Sequence, residues 1–432
     1  MKIIVNFILF QVLDKAPILL GLVAMLGLIL QKKKKTQVID GVIKTMIGLL
    51  IISIGASTLL GAMGPIMSKL NATLGINGVL PANEAAFSVG MKTLANSITM
   101  TFLLGFVMHL LLVAVIPFKK FKNVYLTVHI MLFLSAFLNL ALPNVLGLKG
   151  VSLLIVSSVL CALYWTLTPA ITRVIAKDFL GDDLTLGHHQ QVGAYLASKI
   201  GKAVGNPEDD AENLKLPKYL SIFRDNTITM AFLMPIIFIG IGIAVGQKGI
   251  QDLSGTSNWI IWLFLQGLQF TAGIVVLLTG VRMFIGSIVP AFKGISEYLI
   301  PDAVPALDAP ALYPYSPVGA MLGFLASVAA AILVTLGCIV FQSSIIIFPS
   351  PIIMFFDGCT MGVFGNKFGG WKGALAAGFI SSLLAHLGCI PLYPLMGAVY
   401  GSGLMFSNID FTLVWLPILY LLKLIGSLLG LV

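Results

Sequence analysis

The sequence predicts an all-α polytopic membrane protein of about ten or eleven transmembrane helices in two inverted repeats, with re-entrant hairpins and interfacial amphipathic helices. Three observations carry that prediction. The 432 residues are 58% hydrophobic and 10% charged, with a mean hydropathy of +1.02; no soluble core hides that much apolar surface, so lipid is the solvent. Apolar runs recur at the roughly 20 residues a helix needs to cross hydrocarbon, each broken by Gly, Pro or charge. Finally, the two halves share Gly and Pro positions in register.

The spans lie near 17–31, 42–63, 98–117, 124–147, 150–172, 227–246, 257–281, 317–341, 372–391 and 410–431, with shorter apolar pieces at 1–13 and 343–356. The piece Met1 to Leu13 is too short to cross. It precedes Asp14, Lys15 and Pro17 without a small-residue cleavage site, and reads as an interfacial helix rather than a signal peptide. Cys161, Cys338, Cys359 and Cys389 sit in apolar runs without Cys-x-x-Cys or His spacing and read as buried small residues.

A net charge of +9 could indicate nucleic acid. Here the basic residues are confined to short loops, which is the signature of cytoplasmic loops. Lys32 to Lys35, and Lys119, Lys120 and Lys122, put the loops after the first and third spans inside and the N-terminus outside. The long polar loop 173–226, with Lys177, Asp178, Asp182 and Asp183 and then Glu208, Asp209, Asp210, Glu212 and Lys215, is then cytoplasmic and is where a cytoplasmic partner would dock most easily, although the stretch 208–212 would be an odd site for an acidic partner.

Gly48, Gly55, Gly61 and Pro65 match Gly273, Gly280, Gly286 and Pro290 at one constant spacing. After a one-residue slip, Leu80-Pro81-Ala82-Asn83-Glu84-Ala85 matches Val304-Pro305-Ala306-Leu307-Asp308-Ala309, which pairs Glu84 with Asp308. The span at 42–63 runs outward and the one at 257–281 inward, so the repeat is inverted. The first repeat covers about 14–226 and the second about 247–432 of a single membrane unit, 1–432. Inverted repeats commonly hold a solute near the midplane between the halves. The Pro/Gly-interrupted stretches 64–97 and 287–316 are where irregular backbone would line such a site.

Ionisable side chains within apolar spans are costly and point to function. Glu84 and Asp308 offer acceptors to hydroxyl groups, or else cap helix N-termini. His129 brings one donor and one acceptor, or is satisfied by a neighbouring carbonyl. His188 and His189 open the polar cluster Gly187-His188-His189-Gln190-Gln191; as neighbours they point apart and do not chelate one metal as an i, i+4 pair would. They contact a ligand from a re-entrant segment or lie in a solvated loop. Gly55, Ala56 and Ser57 either let backbone approach a ligand or pack a helix closely. His109 and His386 read as structural, and Asp357, before Gly358, as a turn residue.

Several motifs resemble the ascorbate-specific IIC permeases of the phosphotransferase system. They are Thr185-Leu186-Gly187-His188-His189-Gln190-Gln191, Leu214-Lys215-Leu216-Pro217 with Phe223-Arg224-Asp225-Asn226, Gly280-Val281-Arg282-Met283-Phe284, Phe292-Lys293-Gly294-Ile295-Ser296, and Gly362-Val363-Phe364 through Phe368-Gly369-Gly370-Trp371. The resemblance runs over nearly the whole chain. It implies a homodimer in the bacterial inner membrane, about eleven spans per protomer, and a core domain that carries the solute past a V-shaped scaffold like an elevator. It implies solute contacts at Gly55 to Ser57, His129, His188, His189 and Asp308. It also implies phosphorylation by a separate IIB phosphocysteine protein charged by IIA, both acting in trans on the cytoplasmic face, with no cofactor in this chain.

The sequence departs from the family pattern at His189, where the family has Gln; at Glu84, where it has an aromatic; and at Phe133, where it has Gln. An ionised Glu84 opposes an ascorbate anion unless a histidine pairs with it. L-ascorbate is the first solute expected, with another small polyhydroxy compound as the alternative. An ion-coupled carrier titrating Glu84 and Asp308 is a competing reading. An intramembrane metalloenzyme using His188, His189 and Asp308 is another, weakened by the lack of His-x-x-x-His or Glu-x-x-His spacing.

Overall fold

A computed structural model describes residues 16–75, 77–181, 184–214, 226–300 and 303–431. The interfacial helix expected over Met1 to Leu13, and the motif residues Lys215 to Pro217 and Phe223 to Asp225, lie outside the described residues. The protein is mostly helical. Among the described residues eight helices are long and apolar enough to cross a membrane, nine if one bent pair counts as a span.

In chain order these elements are α1 (Ala16–Leu30), α2 (Lys35–Leu74), β1 (Asn77–Pro81), α3 (Asn83–Val115), β2 (Asn123–Tyr125), α4 (Val128–Leu146), α5 (Gly150–Leu167), α6 (Pro169–Ile175), α7 (Lys177–Leu180), β3 (Thr185–Leu186) and α8 (Gln191–Val204). There follow α9 (Asn226–Val245), α10 (Gln247–Ser254), α11 (Trp259–Leu299), β4 (Val304–Leu307), α12 (Pro317–Val340), β5 (Ile345–Ile347), α13 (Pro351–Leu392), β6 (Leu404–Met405), a π-helical turn at Phe411–Trp415, and α14 (Leu416–Leu428).

Two helices are too long for one crossing. α2 has 40 residues and α11 has 41, with Pro65 and Pro290 inside them; at 1.5 Å per residue each is about 60 Å, twice the hydrocarbon thickness. They cross through glycine. A β-carbon on Gly48 would stand 2.9 Å from the carbonyl oxygen of Gly280, one on Gly280 2.7 Å from that of Gly48, and one on Gly273 3.2 Å from that of Gly55. Gly246, at φ +87°, lets α10 turn by 118° from α9. Lys69 on α2 then bonds Asp252 on α10 at 2.8 Å, while Gln31 after α1 donates to the carbonyl of Pro290 at 2.8 Å.

α13 is a hairpin rather than a rod. Gly369 and Gly370 leave helical geometry, Gly370 at φ +63°, and a β-carbon on Gly365 would run into the carbonyl of Gly373. Residues eight apart in a continuous helix stand about 12 Å apart along the axis, so the chain reverses here. The sequence showed apolar runs at 343–356 and 372–391 with a gap between them, because Asp357, Asn366 and Lys367 interrupt the first leg.

The all-α expectation is corrected by six short strands. They form two parallel three-stranded sheets, ordered β5-β1-β6 and β2-β4-β3. Val79 lies against Ile347 and Leu80 against Leu404 in the first; Tyr125 and Thr185 both flank Ala306 in the second. At membrane depth, unwound backbone must find partners inside the protein, and these ladders supply them. Strands of two to five residues are too short to show a period in sequence.

Candidate functional site

The two central strands aim their C-terminal ends at one place. β1 hydrogen-bonds onward, with the Ala82 amide donating to the carbonyl of Met405, and delivers Asn83 and Glu84 in the first turn of α3, 4% and 6% exposed. β4 ends at Asp308, whose Oδ1 accepts from the Ala309 amide at 2.8 Å. β2 leads into His129 in the first turn of α4. β3 leads through Gly187, where a β-carbon would stand 2.5 Å from the Ala306 carbonyl oxygen, into His188. Each side chain thus follows a strand end, where the chain leaves one element for the next.

The Asp308 carboxylate lies between the two histidines, Oδ2 3.6 Å from His129 Nε2 and Oδ1 3.9 Å from His188 Nε2. Glu84 Oε2, His129 Nδ1 and His188 Nδ1 are buried with no hydrogen-bond partner among the described residues. Asn83, Glu84, His129, Ile130, Phe133, His188, Ile352, Ile353, Phe356 and Asn408 enclose a cavity of about 20 Å³. That volume holds about one water, so a larger solute requires the lining elements to part. Phe133 meets the His129 ring edge-on and Phe356 lies parallel to that of His188. The wall therefore combines acceptors, imidazoles, carboxamides and flat apolar faces, and among the described residues carries no Lys or Arg.

A larger cavity of about 560 Å³ between α9 and α12 is walled by Leu70, Ile237, Ile241, Leu336 and Ile339. It offers a polar solute little to bond, which leaves the small polar cavity as the candidate site. Among the described residues no three His, Cys, Asp or Glu side chains gather as a metal ion would need.

Residues 11–410 match the model of the EIIC-GAT family, described as the PTS system sugar-specific permease component. This chain belongs to that family. Membership makes it a membrane permease component, a transporter rather than an enzyme, and implies a multi-pass protein of the cytoplasmic membrane that takes a sugar and works with IIA and IIB proteins. The permease is also 27% identical over 451 residues to a Mycoplasma pneumoniae protein (strain ATCC 29342 / M129 / Subtype 1) named ascorbate-specific PTS system EIIC component, with 93% of this chain and 68% of the relative covered.

The permease does not bring every residue singled out in the sequence to this cavity. His189 is fully buried behind it, 5.5 Å from the Tyr164 ring and 4.8 Å from that of Phe411, with neither ring nitrogen partnered among the described residues. Gly55, Ala56 and Ser57 lie on α2 at its crossing with α11, where Gly55 backbone meets Gly273 and Ser57 is exposed. His109 is structural: it accepts from the Tyr125 amide at 3.0 Å and pairs with Thr166 at 2.8 Å. His386 is held by the Ser382 carbonyl at 2.8 Å.

One reading is corrected. Asp357 is no turn residue; it lies inside the first leg of α13, 1% exposed. Its Oδ1 accepts from Gln190 Nε2 and Asn408 Nδ2, and its Oδ2 from the Ile409 amide, all at 2.6 Å. Gly358, which suggested the turn, serves close packing, since a β-carbon there would meet Ser327 and Phe324 of α12. Within the acidic run 208–212, two carboxylates are engaged by the fold itself. Glu212 Oε1 accepts from Ser316 Oγ and the Val318 and Gly319 amides at the start of α12, and Asp210 holds Asn366 at 2.6 Å.

Asn83, Asn408 and Asp410 escaped sequence reasoning. Asp410 accepts from Tyr164 Oη at 2.6 Å and from the Val192 and Gly193 amides, capping α8 directly after the histidine cluster. β6 flanks β1 as β3 flanks β4, so the polar residues after Leu404-Met405 and after Thr185-Leu186 occupy corresponding places beside the two sheets.

Proposed function

We propose that this permease translocates a small polyhydroxy solute, L-ascorbate first, by an elevator movement coupled to phosphorylation by IIB at the cytoplasmic mouth. The reading rests on one observation above all: Glu84, His129 and His188 line one buried cavity and Asp308 stands against both of those histidines, the four side chains drawn from four separate strand ends. We assign these four, with Asn83 and Asn408, to solute contact. His189, Gly55, Ala56 and Ser57 join them if the surrounding elements move.

The architecture we propose is eleven spans, N-terminus outside, in two inverted repeats of about 14–226 and 247–432. α13 contributes two legs, and the 15-residue α1 completes the count. Support comes from reciprocity. Gly48 meets Gly280 while its repeat mate Gly273 meets Gly55, the mate of Gly280, as a pseudo-two-fold requires. Each sheet likewise combines a central strand of one half with two edge strands of the other. The glycine-crossed α2–α11 pair would belong to a V-shaped scaffold, and the α12–α13 pair, packed through Gly323, Gly358 and Gly362, to the moving core. A homodimer joined through the scaffold completes the proposal.

The relative's name is what brings ascorbate forward. A second reading, a neutral polyol, is favoured by Glu84 in the wall and Asp308 beside its histidines, with no Lys or Arg lining the cavity among the described residues, since a sugar-acid anion would meet two carboxylates. Equilibrium binding of radiolabelled L-ascorbate to purified wild type and Glu84→Gln, competed with sugars and polyols, separates the two. Saturable ascorbate binding that Glu84→Gln leaves intact or tightens supports the first. Failure to bind ascorbate, with polyol binding lost in Glu84→Gln, supports the second. Full uptake and phosphorylation in vesicles lacking IIB would sink both.

A further inference from the structure

Asp357 is a buried carboxyl that takes three N–H donors and sits beside the cavity without lining it. It has no ion pair among the described residues. A group that receives three donors and offers no proton is matched as a carboxylate, which can only accept. That sets the direction of everything bonded to it. Asn408 must turn its NH2 to Asp357, so its Oδ1 faces the other way and accepts from Asn83 Nδ2 at 2.7 Å. Asn83 Oδ1 in turn accepts from the Ser407 amide at 2.8 Å. The chain of bonds has a carboxylate at one end and a peptide N–H at the other, so chemistry fixes the orientation of both carboxamides.

Asn83 and Asn408 line the cavity, and each keeps a second N–H beyond the one used in this chain. The remaining polar wall consists of carboxylates and imidazoles. Those two amide hydrogens are therefore donors whose position does not depend on a histidine tautomer.

We propose that Asp357 is a positioning residue of the translocation site. Through Asn408 it orients Asn83, so that both present N–H donors to oxygen atoms of the solute, and through Gln190 it ties the loop that carries His188 to the loop 406–410. This rests on the permease reading and on solute binding at this cavity.

The consequence of Asp357→Asn follows bond by bond. The new carboxamide turns its NH2 toward Asn408 and keeps its oxygen for the Ile409 amide. Asn408 then reverses, Asn83 reverses after it, and the NH2 of Asn83 faces the Ser407 N–H with nothing to accept it. Adding Asn408→Asp repairs the chain. The amide at 357 donates to the new carboxylate, which still accepts from Asn83, and Gln190 can present its Oε1, which has no partner among the described residues. The repaired chain holds the loops but has lost one cavity donor.

The test compares wild type, Asp357→Asn and the double variant Asp357→Asn/Asn408→Asp as purified full chains. Hydrogen exchange is read on peptides covering 187–193 and 406–411, and affinity is measured with radiolabelled L-ascorbate and radiolabelled galactitol. The single variant is expected to exchange faster in both loops, with the α2–α11 crossing unchanged, and to bind at least tenfold more weakly. The double variant is expected to recover loop protection while affinity stays at least tenfold reduced. Wild-type loop protection in Asp357→Asn, or full recovery of affinity in the double variant, overturns the proposal. If wild type binds neither probe, the solute reading fails while the exchange measurements still decide the positioning role; if the single variant does not fold, recovery of a folded, loop-protected double variant carries it.

Discussion

Gly48 and Gly280 touch backbone to backbone where α2 crosses α11, each leaving no room for a β-carbon on the other. Dispersion between close-packed backbones is a main source of helix affinity where lipid removes the hydrophobic drive. Gly61, on the same helix and equally part of the repeat match, has open space where its β-carbon would stand. Sequence identity is the same, and surroundings differ.

Gly48→Ala is therefore expected to destabilise by about 1–3 kcal/mol through overpacking. Gly61→Ala is expected to be neutral or to stabilise by up to about 1 kcal/mol through helix propensity. Thermal unfolding of the detergent-solubilised variants measures both. Equal midpoints for the two would mean that α2 and α11 do not cross through glycine.

Asp308→Asn separates solute binding from folding. Asn caps a helix as well as Asp does, so the bond to the Ala309 amide survives and stability should stay within about 0.5 kcal/mol. What disappears is the charge between His129 and His188. Solute affinity should fall at least about tenfold, or about 1.4 kcal/mol, in an equilibrium binding assay. Unchanged affinity would move the solute away from this carboxylate.

How far the sequence could be read depended on how costly each residue looks in lipid. Glu84, His129, His188 and Asp308 stand out as ionisable groups in apolar runs; the first three line one cavity and Asp308 lies against its two histidines. Asn83 and Asn408 are neutral and lie beside more conspicuous neighbours, so nothing in their local pattern marks them. Asp357 was misread because Asp-Gly is a turn signal, whereas here the glycine lets α13 approach α12. Short parallel strands such as Thr185–Leu186 depend on partners more than a hundred residues away, which local periodicity does not register.

His189 and His188 are adjacent in sequence and opposite in environment. Replacing His189 by Phe keeps its contacts with Tyr164 and Phe411 and removes two ring nitrogens that have no partner among the described residues. An orphaned buried polar group costs about 1–3 kcal/mol, so His189→Phe should hold or raise the thermal midpoint and keep solute affinity within about twofold. His188→Phe should lose at least about tenfold in affinity. Equal losses in both variants would show that the loop turns His189 into the cavity during transport.

The acidic run 208–212 offers a last distinction, between holding the fold and meeting a partner. Glu212 takes three donors at the start of α12, so its carboxylate works as a cap supplied from a distant loop. Glu208, four residues earlier, is exposed, and its carboxylate accepts from Asn206 Nδ2 at 3.4 Å. Glu212→Ala should lower stability by about 1–2 kcal/mol, seen as a reduced thermal midpoint, with solute affinity preserved in the folded fraction. Glu208→Ala should leave the midpoint unchanged, so any fall in IIB-dependent phosphorylation it causes reports partner contact alone. A stable Glu212→Ala protein that fails only in phosphorylation would reverse the assignment and return Glu212 to the docking surface.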